Sequence, residues 1–139
     1  MPPSNTAQLT RLITVETGQT VQNNEPNSDG PVNTYDLLLE AVAGDPLGDS
    51  GAGYTLRIDC IDQNDAVRNA TLSLVPQIQA FDNSKWTKVG DDFVSEQRFP
   101  ITVPAGVEGH VFRYVATMVS DNNDILSFIE SNQFLLVDP

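Results

Sequence analysis

Residues 110–137 constrain the fold more than any other stretch. Two runs, H-V-F-R-Y-V-A-T-M-V-S and I-L-S-F-I-E-S-N-Q-F-L-L-V, flank Asp121-Asn122-Asn123-Asp124. Aromatic and β-branched side chains suit a pleated surface, and Asn and Asp tolerate the backbone angles of a tight reversal. The pattern predicts a β-hairpin. Period two along its first run puts Phe112, Tyr114, Ala116 and Met118 on a core-facing side, between polar His110 and Ser120, and Val111, Val115 and Val119 on the other. The second run adds Ile125, Phe128, Ile129, Phe134, Leu135 and Leu136. Strands apolar on both faces are covered either within their own domain or by another subunit.

Upstream, residues 1–7 read as a flexible, Pro-rich arm and 8–139 as one β-sandwich domain. A first strand over 8–16 places Leu9, Arg11, Ile13 and Val15 on one side. Residues 17–31 carry nearly every turn-forming residue type and form a long surface loop. In the second strand, 34–43, Tyr35, Leu37, Leu39 and Ala41 face inward, with Asp36 and Glu40 outward. A glycine-rich loop over 44–53 lacks the Gly-Lys-Ser/Thr ending of a phosphate cradle. A third strand then turns Tyr54, Leu56, Ile58 and Cys60 inward, with Arg57 and Asp59 outward. After a turn at Asp62-Gln63-Asn64-Asp65, a fourth strand over 66–75 shows Ala70, Leu72 and Leu74 on one side. Residues 76–92 read as a long connection with a short edge strand near Ile78. In the fifth strand Phe93, Ser95, Gln97, Phe99, Ile101 and Val103 share a face, and Pro100 on the opposite face argues for an edge position.

This gives about seven short antiparallel strands with turn signals between them, no helical periodicity and no internal repeat, the spacing of a Greek-key β-sandwich. The fold class expected is all-β. The Val103-Pro104-Ala105-Gly106 connection, followed by Phe112-Arg113-Tyr114-Val115-Ala116, resembles the passage between the fifth and sixth strands of immunoglobulin-like and fibronectin-like modules. That resemblance implies an immunoglobulin-like sandwich. The cysteine pair with intervening tryptophan that marks true immunoglobulin domains is absent.

Nineteen acidic against seven basic residues leave a net charge of -12, which repels phosphate backbones and anionic lipid. Neither nucleic acid nor membrane is an expected partner. The lone cysteine, Cys60, can form no internal disulfide and sits where a small buried hydrophobe belongs. No cationic leader with an apolar run opens the sequence, so the expectation is a cytoplasmic or intracellularly assembled protein. Asn69-Ala70-Thr71 matches a glycosylation acceptor, but only a secretory route would make it one.

Catalytic equipment is not visible. His110 is the only histidine, no Gly-x-Ser-x-Gly elbow exists, and a zinc site built on Cys60 and His110 would need carboxylates to complete it. One acidic constellation remains. In a Greek key the loops after the second, fourth and sixth strands share an end, which gathers Asp45 and Asp49, then Asp91 and Asp92 beside Asp82, then Asp121 and Asp124. Calcium takes six to eight oxygen ligands from such loops, although the spacing is no EF-hand and solvated turn aspartates have the same appearance. Lys85 and Lys88 would neutralise part of this cluster. Trp86, the only tryptophan, is either core or a platform for a sugar or protein partner.

The function expected is a non-catalytic structural or protein-interaction module, a subunit of a homo-oligomeric or larger assembly. Trp86, Val111, Val115 and Val119 are its candidate contacts. The alternative is a calcium- or carbohydrate-binding module that uses the acidic loops. For an enzyme, nothing in the chain nominates a mechanism.

Overall fold

The computed structural model describes residues 6–28 and 33–137. Among the described residues every regular element is a strand: β1 (Ala7–Val15), β2 (Thr34–Gly44), β3 (Gly53–Asp62), β4 (Val67–Asn69), β5 (Gln77–Ala80), β6 (Thr87–Val89), β7 (Asp92–Thr102), β8 (Val111–Ser120), β9 (Ile125–Glu130) and β10 (Phe134–Leu135). None of them forms a helix long and apolar enough to cross a membrane. One antiparallel sheet runs β1-β2-β7-β6; the other runs β10-β8-β3-β4, with β5 also on β3 and β9 also on β8. Ten strands replace the expected about seven. The additions are short pieces: β5, the edge strand expected near Ile78, then β6, and the division of the last run into β9 and β10.

The core lies between the sheets because alternate residues of β2, β3, β7 and β8 point to the same side. Tyr35, Leu37, Leu39 and Ala41 of the first sheet meet Tyr54, Leu56, Ile58, Cys60, Phe112, Tyr114, Ala116 and Met118 of the second in one buried cluster. Along the β1 side, side chains close the gap between the sheets. Ser127 Oγ accepts the Leu9 N–H at 2.9 Å, and Asn132 Oδ1 accepts the Thr14 N–H at 3.1 Å. Along the opposite side, Gln79 of β5 and Gln97 of β7 exchange amide hydrogen bonds of 2.7 and 3.0 Å.

Several expected elements take another form. Ala7, read as part of the arm, begins β1 and is buried, while residues 1–5 of that arm lie outside the described residues. A register shift between Leu9 and Arg11 rotates the rest of β1. Leu9 and Leu12 therefore enter the core, and Ile13 and Val15 pack with Leu38 on the outer side. Asp36, expected on a solvated face, is buried there: Arg98 binds it at 2.7 Å and the Gly18 N–H at 2.9 Å.

The strand expected over 66–75 ends at Asn69, whose carbonyl and side chain capture the backbone that a ladder would have used. Asn69 Oδ1 accepts the Leu72 N–H, its carbonyl accepts Ser73 N–H and Oγ–H, and Leu72 drops into the core. In β7, only residues 92–94 pair with β6, so Pro100 lies on a stretch flanked by β2 alone. The β8–β9 reversal places Asn123 at φ 66°, a conformation Asn tolerates better than most residues.

Candidate interaction face

The outer face of the second sheet is set by the pairing registers, because directly paired residues point to the same side. At one end, Ile78 (β5), Thr55 (β3), Val119 (β8) and Ile125 (β9) form a row. The next row holds Arg57, Thr117 and Phe128, and the next Asp59, Val115 and Glu130. Ile78, on one edge strand, and Phe128 and Ile125, on the strand at the other edge of this face, are 85%, 69% and 68% exposed, an uncommon degree for large apolar side chains. Val115 and Val119 lie among them, half-buried.

Val111, expected to share this patch, stands apart. It lies beyond Arg113 at the far end of β8, pairs with Leu135, and lines a separate depression with Asn24 and Gln133. Trp86 is corrected outright. It is 2% exposed, its ring lies 5.2 Å from that of Phe81, and its Nε1–H donates to Tyr54 Oη at 3.0 Å. Indole N–H groups find partners when buried, and this one leaves no surface for a sugar or a protein.

The charge of the face differs from that of the chain. It carries Arg57, Arg68 and Arg113 against Asp59 and Glu130, three of seven basic residues and two of nineteen acids. Arg68 binds Asp59 and Arg113 binds Glu130, each at 2.7 Å. Arg57 is exposed and has no ion pair among the described residues.

The six aspartates considered for calcium do lie at one end: Asp45 and Asp49 after β2, Asp91 between β6 and β7, Asp92 as the first residue of β7, and Asp121 and Asp124 between β8 and β9. The loops do not bring them together. Among the described residues no three of Asp45, Asp49, Asp91, Asp92, Asp121 and Asp124 approach as a ligand set. Asp45 instead faces Lys88 at 3.8 Å, and the Asp121 side chain lies over Gly53.

At the opposite end the structure assembles a cluster that sequence reasoning missed. Asp62, Asp65 and His110 bring one ligand atom each to within 4.8 Å of one another. His110 Nδ1 lies 2.7 Å from Asp62 Oδ2, and Asp62 Oδ1 accepts the Asn64 N–H at 2.9 Å. The hydrogen bond to Asp62 raises the imidazole pKa above its ordinary value, desolvation opposes this, and the carboxylates of Asp62 and Asp65 add to it. Desolvation pushes the Asp62 carboxyl up, but the bonds from His110 and the Asn64 backbone hold it below the usual range. No spacing signal connects residue 62 to residue 110; only the β3–β8 register, which pairs Asp62 with Phe112, does so.

Elsewhere, burial pushes the Cys60 thiol up to about 12, so it is a small core side chain and no nucleophile. A depression of about 560 Å³ beside β6 and β7 is lined by Asn83, Lys85, Thr87, Glu96 and Arg98 and holds no histidine or cysteine. No protein-family model matches this chain, and no curated protein matches it.

Proposed function

We propose that this chain is a non-catalytic structural module that assembles with copies of itself through the outer face of β5-β3-β8-β9. The observation that carries this reading is the coincidence of exposed Ile78, Ile125 and Phe128 with a broad surface relieved of the chain's negative charge. Two copies at net charge -12 repel each other, and the repulsion is least where three arginines gather. Aromatic and arginine side chains such as Phe128 and Arg57 are also the types enriched at protein interfaces. The mixed signs of Arg57, Arg68, Arg113, Asp59 and Glu130 suit an isologous contact, in which cations of one copy can meet the two acids of the other.

An immunoglobulin-like arrangement is part of the same proposal. With the chain lettered in order, β1-β2-β7-β6 corresponds to A-B-E-D, and β9-β8-β3 to G-F-C, the two sheets of that sandwich. The chain changes sheet between β2 and β3, between β5 and β6 and again between β7 and β8, as a Greek key requires.

Sedimentation equilibrium over a concentration series tests the proposal. The expected result is concentration-dependent association that Phe128→Ser or Ile78→Ser abolishes and Val89→Ser, on the other sheet, leaves intact. A monomer at all concentrations, or association indifferent to both face substitutions, refutes it.

A further inference from the structure

We propose that Asp62, Asp65 and His110 form a binding site for one transition-metal dication of the zinc class. Their ligand atoms already lie within 4.8 Å of one another, although His110 is far from the other two in sequence. Ligand atoms around an ion with bonds of ~2.0–2.2 Å lie within roughly 4.4 Å of each other, so small side-chain rotations complete the set. The ion takes the place of the proton shared between His110 Nδ1 and Asp62 Oδ2, now 2.7 Å apart.

The two segments that supply the ligands are fastened to each other by groups outside the site. The Gln63 N–H donates to the Val111 carbonyl at 2.8 Å, and the Val111 N–H donates to Asn64 Oδ1 at 3.1 Å. The donor chemistry chooses the ion. Calcium and magnesium take all-oxygen sets, whereas an imidazole nitrogen with carboxylates suits zinc, cobalt or manganese. Asp65 is exposed and His110 half-buried, so the remaining coordination positions open to water and the ion enters directly from solvent. The negative field of the chain raises the local concentration of any dication. The site is independent of the apolar face, which lies on the outside of the sheet.

Calorimetric titration of the full chain with Zn2+, together with a Co2+ titration followed by visible absorption, tests the site after treatment with chelator. One equivalent should bind, and Co2+ should give the absorption of a nitrogen- and oxygen-ligated ion. His110→Ala and Asp65→Asn should each weaken binding at least about tenfold, a loss already typical of outer-shell partners. Asp124→Asn should leave it unchanged, and Ca2+ should not compete. Metal-free variants that still unfold cooperatively, well above the temperature of the titration, show that the loss is one of ligands and not of fold. The proposal is overturned by non-saturating Zn2+ uptake, by binding that survives both substitutions, or by equal competition from Ca2+.

Discussion

Tyr35 and Tyr114, one from each sheet, place their hydroxyls 2.7 Å apart at the centre of the core, both fully buried. Tyr114 also donates to the Leu72 carbonyl at 2.9 Å. A carbonyl only accepts, so the Tyr114 proton is committed to Leu72 and the proton between the phenols comes from Tyr35. Desolvation drives both phenols well above their usual pKa, which keeps them neutral donors at any ordinary pH. The roles are therefore unequal. Tyr114→Phe strands both the Tyr35 hydroxyl and the Leu72 carbonyl, and should cost about 2–4 kcal/mol; Tyr35→Phe leaves Tyr114 bonded to Leu72, and should cost about 1 kcal/mol. Urea denaturation of the two variants, with unchanged slopes, measures the difference; equal costs would contradict the proton assignment.

The His110–Asp62 pair makes stability depend on pH in a defined window. His110 has a folded pKa raised above 6.5, so its contribution is complete below that value and fades as pH rises through the folded pKa. Asp62 has a folded pKa lowered below 3.8, so its contribution is present above that value and is lost as pH falls through the folded one. Their combined effect is greatest between the two titrations, in mildly acidic solution. Melting temperatures in the presence of chelator should fall from pH 6 to pH 8 in the native chain and fall less in His110→Ala. Parallel profiles for the two proteins would remove the pair as a source of this dependence.

Two glycines give a contrast in what a single methyl group meets. A Cβ on Gly48 would penetrate the buried ring of Phe93, whereas one on Gly53 would meet only the exposed side chain of Asp121. An aromatic ring packed against the sandwich has nowhere to go, and overpacking of this kind costs about 1–3 kcal/mol. A surface carboxylate rotates into solvent. Gly48→Ala should lower the chemical denaturation midpoint clearly, and Gly53→Ala should stay within about 0.5 kcal/mol of the native chain, as surface substitutions usually do.

The long strands with one buried face were legible in the sequence. Tyr35 to Ala41, Tyr54 to Cys60 and Phe112 to Met118 alternate because each belongs to a strand paired on both sides and packed on one face. Features decided by single hydrogen bonds were not legible. The turn at Asn69 depends on a side chain competing with the ladder, and the displacement of Ile13 from the core depends on a bulge, which has no hydrophobic signature. The interaction face was half legible. Val115 and Val119 followed from period two, but the contributions of Ile78 and Phe128 required knowing which strands flank β3 and β8. Asp62 and His110 were beyond reach for the same reason, since their proximity follows from a long-range register.

The hairpin that organises the chain also offers the sharpest comparison, because two of its phenylalanines occupy opposite faces. Phe112 is fully buried, with its ring 5.8 Å from that of Phe134. Phe128, paired with Thr117, is 69% exposed. Phe112→Ala removes buried surface and leaves a cavity, a loss of about 3–5 kcal/mol from a domain whose total stability is on the order of 5–15 kcal/mol. Phe128→Ala removes little that is buried and should change the stability of an isolated monomer by less than about 1 kcal/mol. In an assembly that covers this face, the same substitution should lower the associated mass while Phe112→Ala acts through folding. Since a slip of one residue exchanges the two faces of a strand, a Phe128→Ala variant that unfolds the monomer as readily as Phe112→Ala would mean that the β8–β9 register is misplaced, and with it the apolar face.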